Sequence, residues 1–357
     1  MRILQLIDSL EPGGAERMAV NLSNALTEAG YESHLIATRQ GGDLEDEILP
    51  DVQFTVLKKK SAWDLMAVNK LARYIKRHDI NVIHAHSSSF FSAYLVKFLM
   101  RNVRLVWHDH YGMSEQLDKR PTMVLRFCSS KFDSIISVND QLRNWAQSNL
   151  KCKRVIQLDN FVWTNTQKKP TLELKFPQTF RIICLANFRP QKDHLNLVKA
   201  FANLSQSEQA VSLHLIGKLW GDQYEDSIRD FIAEKELKVH IYGPQKNVHG
   251  ILKQADLGVL SSLSEGLPLA LLEYGMAGLA VIATDVGQCR EVVGDFGSLV
   301  PPADHRTLAD AMIKVKGKLD KGEQLGKGYC GHITKNYAFD SIYSQLKSIY
   351  HGKGAKI

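Results

Sequence analysis

The chain has 357 residues and 44% hydrophobic content, enough for two cores, with 23% charged and 8% aromatic residues as in ordinary globular proteins. Its five cysteines, Cys128, Cys152, Cys184, Cys289 and Cys330, are odd in number and never in C-x2-C spacing, which excludes a disulfide scaffold or zinc ribbon and fits a reducing compartment. The net charge of +7 is uneven: residues 58–131 hold 14 Lys/Arg against 5 Asp/Glu, a net of +9, so the remainder sums to −2.

Met1 to Asp8 reads as a first strand; it is too short and too early charged for a signal peptide. Lys97 and Glu273 interrupt the best apolar windows, so no bilayer-spanning helix is expected. Pro12-Gly13-Gly14-Ala15-Glu16 then opens a helix through Gly30, with Met18, Leu22 and Leu26 on one face. A strand, a glycine turn and a helix are the opening of a nucleotide-binding fold, without the G-x-G-x-x-G spacing of a dinucleotide site. Tyr31–Thr38 and Val52–Leu57 are further strands. Basic residues on predicted helices from Trp63 to Arg77 and from Met113 to Lys131 accompany Trp63, Met66, Met123, Leu125 and Phe127. That mixture suits a helix lying on an anionic membrane surface, and no nucleic-acid-binding motif goes with it.

Asn81–Ser87 and Val103–Gly112 are strands that end in histidines: His84 and His86 on the first, His108 and His110 on the second. Such strand ends lie at the sheet's carboxyl edge, where open α/β folds bind ligands. Four histidines also invite a metal reading, which strand alternation is taken to oppose by sending neighbours to opposite faces. Asp133–Asn139 is the last clear strand of the first half. Thr164–Pro177, containing Lys168-Lys169-Pro170, is the best linker.

The second half restarts with the strand Phe180–Phe188, and Arg189-Pro190-Gln191-Lys192 heads a helix. Two cations at a strand-to-helix turn oppose the helix dipole, which is a reason to assign them a ligand. Val211–Ile216, ending at Gly217, is a strand, and Val239–Pro244 is a strand and turn containing Gly243, before a helix opened by Asn247-Val248. Then comes Ser264-Glu265-Gly266-Leu267-Pro268-Leu269-Ala270-Leu271-Leu272-Glu273, two glutamates with seven residues between them around a Gly-Leu-Pro turn. Pro268 suits a helix start, and the Leu267 and Leu269 amides would point from it toward an anion such as a phosphate. Glu273 would lie one turn inside and lean back toward the same mouth. The competing reading is a buried helix with one stray acid.

The run Glu265–Gly278, preceded by Ala255–Ser262 and followed by Ala280–Gly287, resembles the retaining family 4 glycosyltransferases, GT-B enzymes with an E-x7-E motif. The resemblance extends over nearly the whole chain. It implies an α/β fold of two facing Rossmann-like domains with a central cleft: residues 1–165 for the acceptor, 178–336 for the nucleotide sugar, and 337–357 as a helix crossing back to the first domain. By the same resemblance, Gly13 and Gly14 face the donor phosphate and the acceptor. His110, with His86 as second choice, stands near the transferred sugar, while His84 and His108 are satisfied within the fold. Arg189 and Lys192 match an R-x-x-K pair that grips the donor diphosphate. Glu265 contacts the transferred sugar, Glu273 the ribose, and the turn at Gly243, Asn247 and Val248 the base. Gly266, Leu267, Pro268 and Leu269 complete the donor site. Asn160-Phe161 and Arg290 depart from the family pattern.

The expectation is therefore a retaining transferase moving a sugar from a UDP-linked donor to a glycan or lipid-linked acceptor in cell-surface polysaccharide or glycoconjugate synthesis. It needs no cofactor and no divalent metal, since no Asp-x-Asp site is present, and no nucleic acid. Its place would be the cytoplasm, with residues 58–131 able to touch the inner face of the membrane. The rival readings are a nucleotide-sugar epimerase on the same fold and a non-catalytic nucleotide-sugar binding module.

Overall fold

The computed structural model describes residues 1–112, 114–163 and 172–352. The chain divides into two compact units, Met1–Trp163 with Phe339–Ile357, and Thr164–Ala338. The predicted linker lies largely outside the described residues. From Leu174 on, the chain is already bound to the second unit, through Leu174 N–H to Gln254 (3.0 Å) and Lys175 N–H to the Tyr242 hydroxyl (2.8 Å).

In the first unit seven strands form one sheet: β1 (Arg2–Ile7), β2 (Glu32–Ala37), β3 (Gln53–Val56), β4 (Val82–His86), β5 (Arg104–Asp109), β6 (Ser134–Ser137) and β7 (Val155–Gln157). All pair in parallel in the order β3-β2-β1-β4-β5-β6-β7. The near-continuous apolar strands are what a sheet covered on both faces requires. Helices α1 (Gly14–Glu28), α2 (Leu65–Arg77), α3 (Phe90–Leu99), α4 (Met123–Cys128) and α5 (Asp140–Asn149) make the crossovers. Leu4, Leu6, Ile83, Ala85, Leu105 and Trp107 share a core with Leu71 and Ile75 of α2 and with Ala93 and Val96 of α3. Alternation then turns Gln5, His84, His86 and His108 to the other face.

Two predicted helices differ. The first begins only at Leu65, because Asp64 caps it by accepting from Ala67 N–H at 3.0 Å. The stretch read as one helix from Met113 to Lys131 is a 3-10 segment over Ser114–Lys119, then α4, then a short 3-10 turn. Pro121 is the reason: it disfavours helix in the residue before it and cannot continue the ladder.

The second unit repeats the plan with β8 (Phe180–Leu185), β9 (Val211–Ile216), β10 (Val239–Ile241), β11 (Leu257–Leu260), β12 (Ala280–Thr284) and β13 (Ser298–Val300), in the parallel order β10-β9-β8-β11-β12-β13. Its helices are α6 (His194–Ser207), α7 (Gln223–Glu234), α8 (Val248–Leu252), α9 (Leu269–Ala277), α10 (Cys289–Val293), α11 (His305–Asp320) and α12 (Leu325–Tyr337). Tyr274 of α9 is fully buried; its hydroxyl accepts from Leu185 N–H (2.7 Å) and donates to the Val259 carbonyl (3.2 Å), tying α9 to β8 and β11. Gly258 makes room for it, since a Cβ there would lie 2.6 Å from the Tyr274 ring.

The last helix, α13 (Phe339–His351), belongs to the first unit. Ile342, Leu346, Ile349 and Tyr350 are its buried face. Arg154 donates to the Ser348 carbonyl (3.4 Å), and Gln345 to the Gln157 carbonyl (2.9 Å). In each sheet the strand order reverses beside the first strand of its unit, between β1 and β4 and between β8 and β11. Ligands of open α/β sheets bind at such points.

Candidate active site

At the reversal point of the second unit, β8 runs out into Arg189 and a 3-10 turn over Pro190–Lys192, and α6 follows only after Asp193 in the left-handed conformation. The predicted single helix from Arg189 is thus broken by this turn. The loop after β11 is bound to it: Leu263 N–H donates to the Gln191 carbonyl (2.8 Å), Gln191 to the Ser264 carbonyl (2.8 Å) and Ser261 to the Lys192 carbonyl (2.9 Å). These bonds bring Lys192 Nζ to 2.5 Å from Glu265 Oε1, which also accepts from the Ser262 hydroxyl at 2.6 Å. Glu265 is buried at 8% exposure, while the Lys192 side chain keeps 23%. The ammonium therefore has donors left for a ligand.

Gly287, at φ +52°, lets the next loop press against this segment, because a Cβ there would lie 2.1 Å from the Glu265 carbonyl oxygen. The helix α9 starts immediately after. Pro268 is its N-cap and supplies no side-chain acceptor, so the Pro sits one residue earlier than predicted. An N-terminus without a side-chain cap suits an anion. Glu273 is the fifth residue of α9 and is buried. Glu265, Gly266, Leu267, Pro268 and Leu269 thus form one continuous turn beside Lys192. Arg189 is exposed, with its guanidinium 5.4 Å from the Trp220 ring; Lys218 stands 5.1 Å from the same ring. Trp220 and Lys218 were missed in the sequence; the signal was one cation and an indole just after the strand end at Gly217. The carbonyl of Gly243, at φ +70°, accepts from Gly217 N–H (3.1 Å), and Asn247, at φ +49°, precedes Val248 at the start of α8. Both backbones are shaped by left-handed residues at the carboxyl end of β9 and β10.

In the first unit the carboxyl edge carries a different chemistry. Gly13 is the N-cap of α1, and a Cβ on Gly14 would meet open space, so the packing of the protein itself does not demand glycine there. Asp8, just past β1, accepts from Thr38, from Ser88 (2.6 Å) and from Lys59 (3.3 Å), which also donates to Ser92 (2.9 Å). Burial pushes the Asp8 carboxyl up, but these donors outweigh it and hold it below its ordinary value. Asp109 is buried and forked by Arg120 at 2.7 and 2.8 Å. The Arg120 guanidinium lies over Tyr111 (4.4 Å) and Trp145 (4.2 Å). Two cations of the basic stretch 58–131, Lys59 and Arg120, are therefore inside.

The four histidines form one stack. His84 and His86 are two apart on β4, and β5 sets His108 opposite His86, so alternation gathers them on one face instead of dispersing them. Ring centroids are 4.6 Å apart for His84–His86, 5.2 Å for His86–His110 and 4.0 Å for His108–His110. Burial pushes His84 and His110 down to about 3 and His86 and His108 well below their ordinary value, so all four are neutral. Ring nitrogens of His84, His86 and His108 lie within 4.8 Å of one another. Stacked rings aim their lone pairs in parallel planes, however, and both His86 nitrogens are taken, by His110 (3.0 Å) and Gln5 (2.8 Å). A metal ion would have to displace one of those two bonds to take His86 as a ligand.

Two expectations change here. His86 is fully buried and reaches a ligand only through His110, which keeps partial exposure. His84 Nε2 and both His108 nitrogens have no hydrogen-bond partner among the described residues, contrary to the expectation that these residues are satisfied.

Comparison with known proteins agrees with this architecture. Residues 12–164 match the family model described as Glycosyltransferase Family 4, and residues 166–328 that of Glycosyl transferases group 1. The chain is 25% identical over 303 residues to the O-antigen biosynthesis glycosyltransferase WbnH of Escherichia coli, covering 83% of this chain and 84% of that one. It is 23% identical over 366 residues to the phosphatidyl-myo-inositol mannosyltransferase of Mycolicibacterium smegmatis, covering 97% and 92%. Among solved structures, Anabaena HepE in complex with UDP and glucose superposes with a TM-score of 0.76 at 19% identity, over 97% of this chain and 98% of that one. The chain belongs to the family 4 glycosyltransferases of the GT-B fold.

Proposed function

We propose that the protein is a retaining transferase that moves a sugar from a UDP-linked donor to a glycan or lipid-linked acceptor in cell-surface glycan synthesis. The observation that carries this is the Lys192–Glu265 pair beside the N-terminus of α9, at the strand-order reversal of the second unit. Lys192, Arg189 and the first-turn amides of α9 stabilise charge on the departing diphosphate. Glu265 contacts the transferred sugar, Glu273 accepts from the ribose hydroxyls, and the turn at Gly243, Asn247 and Val248 faces the base. Gly13, Gly14 and His110 serve the acceptor side. The protein's own cations supply the positive charge, so turnover is expected to survive chelation of divalent metal. The UDP and glucose named with HepE, and the O-antigen and phosphatidylinositol in the relatives' names, support the donor and acceptor classes. The test is a panel of nucleotide sugars, with nucleoside diphosphate release measured with and without acceptor; release from none overturns the assignment, and conversion without any acceptor indicates an epimerase.

The acceptor side also carries an apolar patch suited to a membrane surface. No helix among the described residues is long and apolar enough to cross a membrane. Trp63, Leu65, Met66, Phe98, Leu99, Met123, Val124 and Phe127 are each more than half exposed. Edge-to-face contacts of Tyr94 with Phe98 (5.0 Å) and Phe127 (5.9 Å), and of Trp63 with Phe91 (5.0 Å), join them across α2, α3 and α4. Exposed Lys60, Arg126 and Lys131 flank the patch. Aromatic contact plus about 1 kcal/mol per cation near an anionic leaflet would hold the enzyme at the cytoplasmic face. Binding to phosphatidylglycerol vesicles should be lost in Met123→Glu/Phe127→Glu and weakened by salt, with neutral vesicles ignored. Equal binding to both vesicle types, or none, removes the membrane reading.

A further inference from the structure

Both contacts of the Glu265 carboxylate fall on one of its two oxygens. Lys192 Nζ and the Ser262 hydroxyl meet at Oε1, at 2.5 and 2.6 Å. Oε2 has no partner among the described residues, and it is not among the buried atoms that lack one, so it is open to a ligand. The direction of each bond follows from the groups themselves. A carboxylate held by an ammonium only accepts, and a serine hydroxyl has one proton to give, so Ser262 is the donor.

The backbone around Glu265 is fixed on both sides. The Ser264 carbonyl accepts from the Gln191 side chain (2.8 Å), and the Gly266 carbonyl from Gln288 N–H (3.0 Å). The side chain still has its terminal torsion, which in a glutamate is broad and roughly twofold. Lys192 alone does not set that torsion, because its ammonium rides on a flexible four-carbon stem and can follow either oxygen. Ser262 does set it. The residue is fully buried just past β11, and its own carbonyl accepts from the Thr284 hydroxyl at 2.6 Å. A short side chain on an anchored backbone gives Oε1 a stationary donor.

We propose that Ser262 is a positioning residue that holds Glu265 Oε1 inward and so presents Oε2 to a hydroxyl of the transferred sugar. This rests on the reading of Glu265 as the residue that touches that sugar. Oε2 of the ionised carboxylate only accepts, so a sugar hydroxyl satisfies it with a charge-assisted bond. The carboxylate of an acidic sugar placed there would meet like charge. The site therefore takes a sugar that is neutral and hydroxylated at that position.

The test is Ser262→Ala in the full-length protein, which removes a single oxygen atom from a buried position. For the active donor of the nucleotide-sugar panel, kcat/KM should fall about tenfold, the worth of one hydrogen bond to a charged group. UDP carries no sugar to transfer, so its dissociation constant should stay within about twofold of the wild type. Deoxy analogues of that donor, each lacking one hydroxyl, locate the contact. For one analogue the wild type and Ser262→Ala should turn over alike, because the group that Oε2 holds is gone; for the others the difference persists. Ser262→Cys keeps a weak donor and should fall between the two, and it serves if Ser262→Ala does not fold. A UDP dissociation constant that rises in step with the lost turnover overturns the proposal, since Ser262 would then act through Lys192. An equal loss with every analogue, or no loss with the full donor, also overturns it. Failure of the transferase reading looks different: the wild type itself then releases no nucleoside diphosphate from any donor, and the role of Ser262 falls with it.

Discussion

The two units share one strand order and place opposite chemistries at the same point of it. Where β8 and β11 diverge, the second unit presents an ammonium, a guanidinium and a buried carboxylate, joined by the 2.5 Å Lys192–Glu265 contact. Where β1 and β4 diverge, the first unit presents neutral imidazoles in a buried stack. Fold alone therefore does not decide what a switch point does. On the proposed function, charge stands where a diphosphate leaves, and neutral hydrogen-bonding groups where a hydroxyl is held. The acid limit of the enzyme should lie in one unit and its transition-state stabilisation in the other.

The largest expected effect breaks the charged half. Lys192→Ala removes a cation from developing negative charge and leaves Glu265 buried with Ser262 as its partner. A loss of about 2.7–4 kcal/mol in transition-state stabilisation follows by comparison with an oxyanion donor. Arg189→Ala should act in the same direction. Steady-state turnover with the active donor checks both, and near-wild-type rates in the two variants would remove the diphosphate role.

Acid should break the neutral half first. A buried histidine whose folded pKa is depressed binds fewer protons folded than unfolded between the two values. Stability is therefore full above the unfolded value of about 6.5 and declines as pH falls toward the folded one. His84 and His110, at about 3, and His86 and His108, pushed well below their ordinary value by burial, lie in the first unit; His194 and His214, at about 4, are buried in the second. Each such histidine costs about 1.4 kcal/mol per pH unit in that window. Hydrogen exchange on lowering pH from neutral to about 5 should show the first unit opening before the second. Simultaneous opening would contradict the contrast.

The smallest effect sharpens the charged half. Glu273→Gln keeps shape but weakens charge-assisted hydrogen bonds to the ribose, so UDP affinity should fall about tenfold, roughly 1.4 kcal/mol. Calorimetry giving an unchanged dissociation constant would make Glu273 a structural residue.

The sheet edges were legible because apolar runs end in polar residues: Ile7 gives way to Asp8, Ala85 to His86, Phe188 to Arg189. The turn from Glu265 to Leu269 was legible through its glycine and proline. The histidine stack was misread although its signal was present, since residues two apart on a strand share a face. Pro121 likewise announced the break before α4. Gln5 was visible as a lone amide in an apolar strand, but its partner Tyr350 is 345 residues away, and no local rule connects them. Arg120 and Lys59 were counted within the basic stretch 58–131, and only packing shows that Asp109 and Asp8 draw them inward.

The return of α13 to the first unit has a consequence for the birth of the protein. Synthesis runs from the N-terminus at about 5–20 residues per second, so residues 164–338 of the second unit take roughly 10–35 s to emerge. Throughout that interval the seven strands of the first sheet exist while Gln5, His84 and His86 wait for Tyr350. A nascent chain halted before residue 339 would show the ribosome-side chaperones a wet, half-roofed histidine layer. The first unit to be translated is thus the last to be finished.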